Sequence, residues 1–279
     1  MVDVLRAAEG YLEERGVDAP RRSAELLMGR ELGMSRLELY LAHDRPVTES
    51  ERVALRKVIA ARGRHVPVAY LLGDWDFHGL TLAVTPDVLI PRPETEGLVD
   101  LAIERAPSDA RCVEIGTGSG AIAIALAVAR EDLRIVATDV SDAAAKVAKA
   151  NVDRHGLSDR VEIRVGSFWD PIAPDETFDL LVSNPPYVDP NRPDLLADDV
   201  REHEPSLALF ASPDDVASSY RALVNGAEHL AVGAPILFET GIEAAESALE
   251  LLRSASGIAD AELRNDLADL PRYLLARRA

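Results

Sequence analysis

The stretch Arg111-Cys112-Val113-Glu114-Ile115-Gly116-Thr117-Gly118-Ser119-Gly120 decides the fold. Its first five residues, of which Cys112, Val113 and Ile115 are apolar, are typical of a buried parallel strand, and a segment rich in alanine and isoleucine follows the glycines. Glycine lets a backbone turn tightly and lets a ligand approach closely at the start of a helix. The stretch therefore predicts a strand, a ligand-binding loop and a helix.

Strands and helices alternate after this loop. Apolar runs of strand length are followed by segments with helical spacing, which is the pattern of a parallel sheet with crossover helices. A final pair of runs is expected to close the sheet in the antiparallel direction. The runs after the first strand are residues 134–138, 161–165, 178–182 and 235–239, and the final pair is residues 261–263 and 273–276.

Asp139 follows the second predicted strand. An acidic residue at this position can accept hydrogen bonds from both hydroxyls of a ribose, which indicates an adenosine-type cofactor. The Gly-x-Gly-x-x-Ala spacing from Gly116 also fits a nicotinamide dinucleotide site, so the loop alone leaves both cofactor types open. Glu114 at the start of the motif and the third glycine, Gly120, favour S-adenosylmethionine.

Two neighbouring aromatic residues, Phe168 and Trp169, follow the third predicted strand. A ring at the carboxyl end of a strand can stack on adenine, or it can cap the core. The spacing does not decide between the two functions or between the two residues.

A rigid loop, Ser183-Asn184-Pro185-Pro186-Tyr187, follows the fourth predicted strand. Its two prolines fix φ and remove two backbone donors, which leaves carbonyl groups that no helix can absorb. With the Asn184 side-chain oxygen these carbonyls form an acceptor-rich pocket beside an aromatic ring. Such a pocket suits the N–H groups of a planar amide, amidine or aminopurine. A simple turn is the alternative for an isolated pair of prolines.

The amino-terminal quarter has a different pattern. Residues 1–72 have apolar residues at helical spacing, and Thr48 to Glu51 forms a capping box, so three or four short helices are predicted. Residues 73–94 predict a β-hairpin and an extended connector. Thr95 is expected to cap the next helix. We expect domains at 1–72 (helical, substrate-docking), 73–94 (connector) and 95–279 (α/β).

Composition restricts the class of protein. The 279 residues are 47% apolar with a net charge of −18, which suits a globular protein and disfavours binding to the polyanionic nucleic acids. One cysteine, Cys112, excludes an internal disulfide, and six scattered histidines predict no metal site. No signal peptide or membrane span is recognisable, so we expect a cytoplasmic protein without membrane contact.

Together these motifs resemble the release-factor glutamine N5-methyltransferase family. The Pro-Arg-Pro-Glu-Thr-Glu block separates this family from the Asn-Pro-Pro-Tyr methyltransferases that modify adenine. The resemblance covers most of the chain and rests on Pro67 to Gly73, Ile90 to Glu96, Glu114 to Ala123, Thr138-Asp139 and Asn184 to Tyr187.

The resemblance implies a fold and an activity. The fold is a seven-stranded Rossmann-like class I methyltransferase sheet behind a small helical domain. The activity is S-adenosylmethionine-dependent methylation of the glutamine side chain in the Gly-Gly-Gln loop of peptide-chain release factors, a protein modification that acts in translation termination. The release factor is then the protein partner, and we expect the enzyme to be a monomer.

The resemblance and the motifs together predict a site. Asn184 and Pro185 are the expected catalytic residues, and Pro186 and Tyr187 complete the substrate pocket. No metal ligand is expected. The expected cofactor-binding residues are Arg92, Glu114, Gly116, Thr117, Gly118, Ser119, Gly120, Asp139, Val140, Phe168, Trp169 and Asn184.

The sequence departs from the family after Tyr187. Phe210 to Asp215 stands where the family has a Gly-Gly-x-Asp-Gly turn, and Asp269 stands where glycine is usual. An N-methyltransferase of a small amide, amidine or amino-acid-like metabolite is therefore the first alternative. An adenine-N6 nucleic-acid methyltransferase and a non-catalytic protein-binding relative are further alternatives. A nicotinamide oxidoreductase leaves the Asn184 loop unexplained.

Overall fold

The computed structural model describes all 279 residues. Contacts within the chain divide it into two compact units. The first unit comprises Met1–Asp74 and Leu196–His203, and the second comprises Trp75–Leu195 and Glu204–Ala279. None of the helices combines the length and the apolar character that crossing a membrane requires.

The first unit is helical. The capping box predicted at Thr48 is confirmed, since the Glu51 backbone N–H donates to the Thr48 hydroxyl while the Thr48 N–H donates to the Glu51 carboxylate. Its helices enclose an apolar core around Leu12, Met28 and Leu39. They are α1 (Val2–Glu13), α2 (Pro20–Leu32), α3 (Arg36–Leu41), α4 (Glu49–Arg62), α5 (Val68–Leu72) and α9 (Asp198–His203).

The second unit begins with a hairpin and continues as an α/β domain. The hairpin pairs β1 (Asp74–Phe77) with β2 (Leu80–Ala83). The strands of the large sheet are β3 (Arg111–Ile115), β4 (Arg134–Asp139), β5 (Val161–Val165), β6 (Leu180–Ser183), β7 (Pro235–Glu239), β8 (Ile258–Asn265) and β9 (Pro271–Arg278). The helices are α6 (Pro93–Arg105), α7 (Ala121–Ala129), α8 (Asp142–Arg154), α10 (Ser206–Leu209), α11 (Ser218–Asn225) and α12 (Ile242–Ser254).

The seven strands lie in the order β5-β4-β3-β6-β7-β9-β8. The first five are parallel and β9 is antiparallel to both of its neighbours, so the predicted fold class and the closing antiparallel pair are confirmed. Because the central strands are parallel, the segments that follow β3, β4, β6 and β7 meet at one edge of the sheet.

Both faces of the sheet are buried, which is why Cys112, Val113 and Ile115 of β3 are apolar although they face opposite core layers. Cys112 packs in one core layer with helices α6 and α7, while Val113 and Ile115 pack in the other layer with α11 and α12. Cys112 is fully buried, and burial raises the pKa of its thiol to about 12. Cys112 is therefore part of the core.

One local prediction is wrong. Thr95 does not cap α6, because the helix begins two residues earlier at Pro93 and no side chain caps it. The polar stretch between Tyr187 and Asp215 contains a 3-10 turn (Pro193–Leu195), α9 and α10.

Candidate active site

A cavity of about 560 Å³ opens at the carboxyl edge of the sheet, within the second unit. The segments that follow β3, β4, β5 and β6 form its walls. Of the residues predicted for the site, the cavity is lined by Arg92, Glu114, Gly116, Thr117, Gly118, Ser119, Asp139, Val140, Phe168, Asn184, Pro185 and Pro186. Gly120, Trp169 and Tyr187 do not line it.

The glycine-rich wall of the cavity is held by backbone hydrogen bonds. The N–H groups of Gly116 and Thr117 both donate to the Thr138 carbonyl at 2.9 Å. Gly116 and Gly118 have φ of 80° and 56°, a left-handed conformation that favours glycine. A Cβ at Gly118 would meet no atom within 4 Å, so the backbone there faces open space that a ligand can enter.

Asp139 fixes this wall as well as lining the cavity. Its Oδ2 accepts from the Gly118 N–H at 2.8 Å, and its Oδ1 accepts from the Ser141 N–H at 2.8 Å. Burial raises the pKa of the Asp139 carboxyl, and the two backbone donors oppose this rise. The carboxylate retains lone pairs for a hydroxyl donor in the cavity.

Glu114 presents a buried acceptor with no partner. Its Oε2 accepts from the Thr117 hydroxyl at 2.8 Å and from the Ala123 N–H at 3.1 Å, while its Oε1 accepts no hydrogen bond. Burial raises the pKa of Glu114 to about 8. A buried, unpaired carboxylate oxygen is costly unless a donor or a cation satisfies it. The site therefore fits a ligand that carries an ammonium group and a ribose.

Gly120 has a packing function instead of a ligand contact. A Cβ at this position would lie 3.1 Å from Ile124 and 3.4 Å from Ala148, which belongs to α8. Its φ of 84° also places it in the left-handed region. The third glycine of the motif thus lets α8 approach the loop.

The structure distinguishes the two aromatic candidates. Phe168 lines the cavity, whereas the Trp169 indole donates to the Leu223 carbonyl at 3.0 Å and stacks on His229 with ring centroids 5.3 Å apart. Trp169 fills the space above Gly226, where a Cβ would lie 2.4 Å from its ring. Trp169 is therefore part of the core, and Phe168 is the ring that a cofactor can contact.

The second wall of the cavity presents hydrogen-bond acceptors. The Asn184 side-chain nitrogen donates to the Thr95 hydroxyl oxygen at 3.2 Å, so its oxygen Oδ1 is the end left without a protein donor. No group donates to the Pro185 carbonyl, whereas the Pro186 carbonyl accepts from the Ser219 hydroxyl at 3.1 Å. Two unpaired acceptors, Asn184 Oδ1 and the Pro185 carbonyl, thus stand on one rigid loop.

Tyr187 supports this loop from behind. Its hydroxyl donates to Glu239 Oε1 at 3.3 Å, and its ring packs on Gly241, where a Cβ would lie 2.8 Å from the ring. Burial keeps the pKa of Tyr187 above its ordinary value. We expected this ring to complete the substrate pocket. The ring does not line the cavity and packs on Gly241 instead, so Tyr187 supports the loop.

Three supporting residues escaped the sequence interpretation. Arg92 forms an ion pair with Glu204, whose other carboxylate oxygen accepts from the Ile90 N–H at 3.1 Å. Glu239 lies at the carboxyl end of β7, beside β6. Glu204, Glu239 and Ser219 lie far from the cavity motifs in sequence, so only the folded chain shows that they support the site. No cluster of three or more acidic, histidine or cysteine side chains is arranged to hold a metal ion.

Two protein families match parts of this chain, and curated proteins match nearly all of it. The family described as PrmC N-terminal domain matches residues 3–73, and the family described as Methyltransferase small domain matches residues 98–199. The release factor glutamine methyltransferase of Geobacter sulfurreducens is 39% identical over 98% of this chain and 95% of its own length. The protein of that name from Bordetella pertussis is 40% identical over 91% of this chain and 93% of its own length.

Solved structures resemble the fold at lower identity. The ribosomal protein L11 methylase of Lactobacillus delbrueckii subsp. bulgaricus has a TM-score of 0.50 and 20% identity over 67% of this chain and 80% of its own. A putative rRNA-methylase from Clostridium thermocellum has a TM-score of 0.50 and 17% identity over 68% of this chain and all of its own. At these identities the likeness concerns the fold alone.

The seven-stranded sheet and the cavity at its carboxyl edge define a class I methyltransferase. The cavity has both the glycine-rich wall, which follows β3, and the acceptor wall, which is formed by Asn184 and Pro185. Within that class, the near full-length identity to the curated relatives shows that the chain belongs to the release factor glutamine methyltransferase family.

Proposed function

We propose that this chain transfers the methyl group of S-adenosylmethionine to the side-chain amide of the glutamine in the Gly-Gly-Gln loop of a peptide-chain release factor. The observation that carries the proposal is the pair of unpaired acceptors, Asn184 Oδ1 and the Pro185 carbonyl, on the wall of a cavity that also holds the orphaned Glu114 oxygen. Membership of the family gives the substrate class.

The residues of the glycine-rich wall suit this cofactor. S-adenosylmethionine supplies an electrophilic methyl group on a sulfonium. Glu114 would satisfy its ammonium group and Asp139 its ribose hydroxyls, while Phe168 would contact the adenine. Gly116 to Ser119 let the backbone approach the ligand closely, and Arg92 and Val140 complete the wall.

The acceptor wall prepares the nucleophile. An amide nitrogen is a poor nucleophile because its lone pair is delocalised into the carbonyl. Hydrogen bonds from its two N–H groups to Asn184 Oδ1 and the Pro185 carbonyl would orient it and raise its electron density. Orientation of this kind is worth roughly 7–11 kcal/mol, so no strong general base is needed. The product amide releases one proton to water.

The same proposal extends to partners and location. We take residues 1–72 as the domain that docks the release factor, 73–94 as a connector and 95–279 as the catalytic domain. The net charge of −18 supports an enzyme that does not bind nucleic acid directly. We place a monomeric enzyme in the cytoplasm, without membrane contact, because its substrate acts there in translation.

One observation favours a second candidate. Phe210, Ala211 and Ser212, at the start of the stretch that departs from the family pattern, line the cavity. A change at this wall can alter the substrate without altering the chemistry. The second candidate is therefore an N-methyltransferase of a small amide or amidine.

A methyl-transfer assay tests the proposal. Labelled S-adenosylmethionine is incubated with the cognate release factor, in the natural form and with the glutamine of the Gly-Gly-Gln loop replaced. We expect label on the natural form alone. No label on either, together with cofactor binding measured by calorimetry, would overturn the release-factor substrate and favour the small-molecule candidate.

A further inference from the structure

Thr95 holds a buried hydroxyl that helix formation does not use. It lies in the first turn of α6, is 5% exposed, and makes no capping hydrogen bond. Its oxygen instead accepts from the Asn184 side-chain nitrogen at 3.2 Å, across 89 residues of sequence. A buried hydroxyl directed at a catalytic amide can determine which end of that amide faces the cavity.

Glu239 holds the other end of the loop that carries Asn184. It is 1% exposed at the end of β7, its Oε1 accepts from the Tyr187 hydroxyl at 3.3 Å, and its Oε2 has no hydrogen-bond partner. Burial raises the pKa of this carboxyl. Thr95 is therefore the residue that contacts the Asn184 amide, while Glu239 contacts Tyr187.

The orientation of Asn184 matters because its amide has one donor end and one acceptor end. With Nδ2 bound to Thr95, Oδ1 is the end available to a substrate N–H. In the flipped orientation, Nδ2 would face the N–H groups of the substrate, and two donors would meet.

We propose that Thr95 is a positioning residue that holds the Asn184 side-chain amide with its oxygen towards the reacting amide of the substrate. The proposal deepens and rests on the proposed methylation of glutamine. Tyr187, at the other end of the same loop, donates to the buried Glu239. The loop is thereby held at both ends by residues distant in sequence.

The kinetic test compares variants of Thr95 with and without a hydroxyl, and a control variant of Thr81. Thr95→Val keeps the shape and removes the hydroxyl, Thr95→Ser keeps the hydroxyl, and Thr81→Val removes an exposed hydroxyl that donates to Asp76 at 2.8 Å outside the cavity. We expect Thr95→Val to lower kcat about 10- to 100-fold, the range for one lost hydrogen bond to a catalytic group. Its KM for the release factor and its cofactor affinity should stay within about twofold, and Thr95→Ser should restore kcat. Should Thr95→Val fail to fold, Thr95→Ala, which suits a helix, replaces it.

A spectroscopic test does not depend on turnover. The chain contains five asparagines and no glutamine, so its side-chain amide spectrum holds only five NH₂ pairs, and Asn184→Ala identifies one of them. We expect one proton of the Asn184 pair to be shifted and protected from exchange in the wild type. Both properties should be lost in the Thr95→Val or Thr95→Ala variant and kept in Thr81→Val.

The outcomes separate the two proposals. Wild-type kcat in the hydroxyl-free variant, or an unchanged Asn184 amide signal, would overturn the positioning by Thr95. Absence of methyl transfer by the wild-type enzyme would defeat the proposed function, while the amide signal would still decide how Asn184 is held.

Discussion

The two walls of the cavity are held in opposite ways. In the glycine-rich wall, Thr117 and Ala123 donate to Glu114 across three and nine residues, and Gly118 donates to Asp139 across 21 residues. The acceptor wall is held from further away. Asn184 donates to Thr95 across 89 residues, and Tyr187 donates to Glu239 across 52 residues.

This difference shows which contacts position the residues of each wall. A strand, a glycine turn and a helix start produce the first wall almost by themselves, because their hydrogen bonds form within one βαβ unit. The acceptor loop is rigid from its prolines, but rigidity does not orient a side-chain amide. Asn184 is held by Thr95 of α6 and Tyr187 by Glu239 at the end of β7, and only the folded sheet brings these residues near.

The largest effect should come from Asn184→Ala. If the two walls work independently, this variant should lower kcat about 1,000-fold, since it removes one of the two acceptors that orient the nucleophile. Cofactor affinity measured by calorimetry should stay within about threefold. Asn225→Ala, at an exposed position outside the cavity, is the control. A strong loss of cofactor affinity in Asn184→Ala would show that the walls are not independent.

Glu114→Gln should show how much stability the folded protein loses by burying the Glu114 carboxyl. Burial raises the pKa of Glu114 from 4.5 to about 8, so the folded protein binds this proton more tightly than the unfolded chain does. That contribution to stability is complete below the unfolded pKa and is lost as the pH rises towards about 8. The cofactor-free variant should gain about 4 kcal/mol relative to wild type between about pH 5 and about pH 9.

Denaturant unfolding at the two pH values measures this gain. Glu131→Gln, at an exposed position, serves as the matched control. An equal gain in both variants would mean that general charge reduction, and not the buried Glu114, is responsible.

Variants of the two neighbouring aromatic residues should have different effects, one on stability and the other on cofactor binding. Trp169→Ala should lose about 2–3 kcal/mol of stability, because a packed ring and its hydrogen bond to Leu223 disappear. Phe168→Ala should instead weaken cofactor binding about 10-fold, since stacking is worth roughly 1 kcal/mol. Calorimetry and thermal unfolding of both variants decide this, and an exchange of the two effects would assign the adenine contact to Trp169.

Gly241→Ala should disturb the acceptor wall from a distance. Its Cβ would lie 2.8 Å from the Tyr187 ring, so the ring must shift at a cost of about 1–2 kcal/mol. We expect kcat to fall about fivefold with cofactor affinity unchanged. The control is Gly10→Ala in α1, where a Cβ meets nothing within 4 Å and alanine suits the helix. Unchanged kcat in Gly241→Ala would show that the loop tolerates movement of Tyr187.

Much of the fold was predictable from the sequence. The runs that became β3, β4, β6 and β7 are mostly apolar because both sheet faces are buried, and strand length and crossover helices followed from that pattern. The wrong prediction concerns a polar residue. Thr95 fits a helix cap equally well as a buried hydroxyl, since a cap is only one of several partners that threonine can find.

The sequence by itself determined the strand–glycine-loop–helix unit with Asp139 and the acceptors of Asn184 and Pro185, because each arises from dihedral preferences and hydrogen bonds within a short stretch of chain. Only the tertiary structure decided that Phe168 and not Trp169 faces the cavity, that Tyr187 turns to Gly241, and that Thr95 and Glu239 lie behind Asn184. Those choices depend on which strands are neighbours and on what space their packing leaves, and neither is encoded in any single segment.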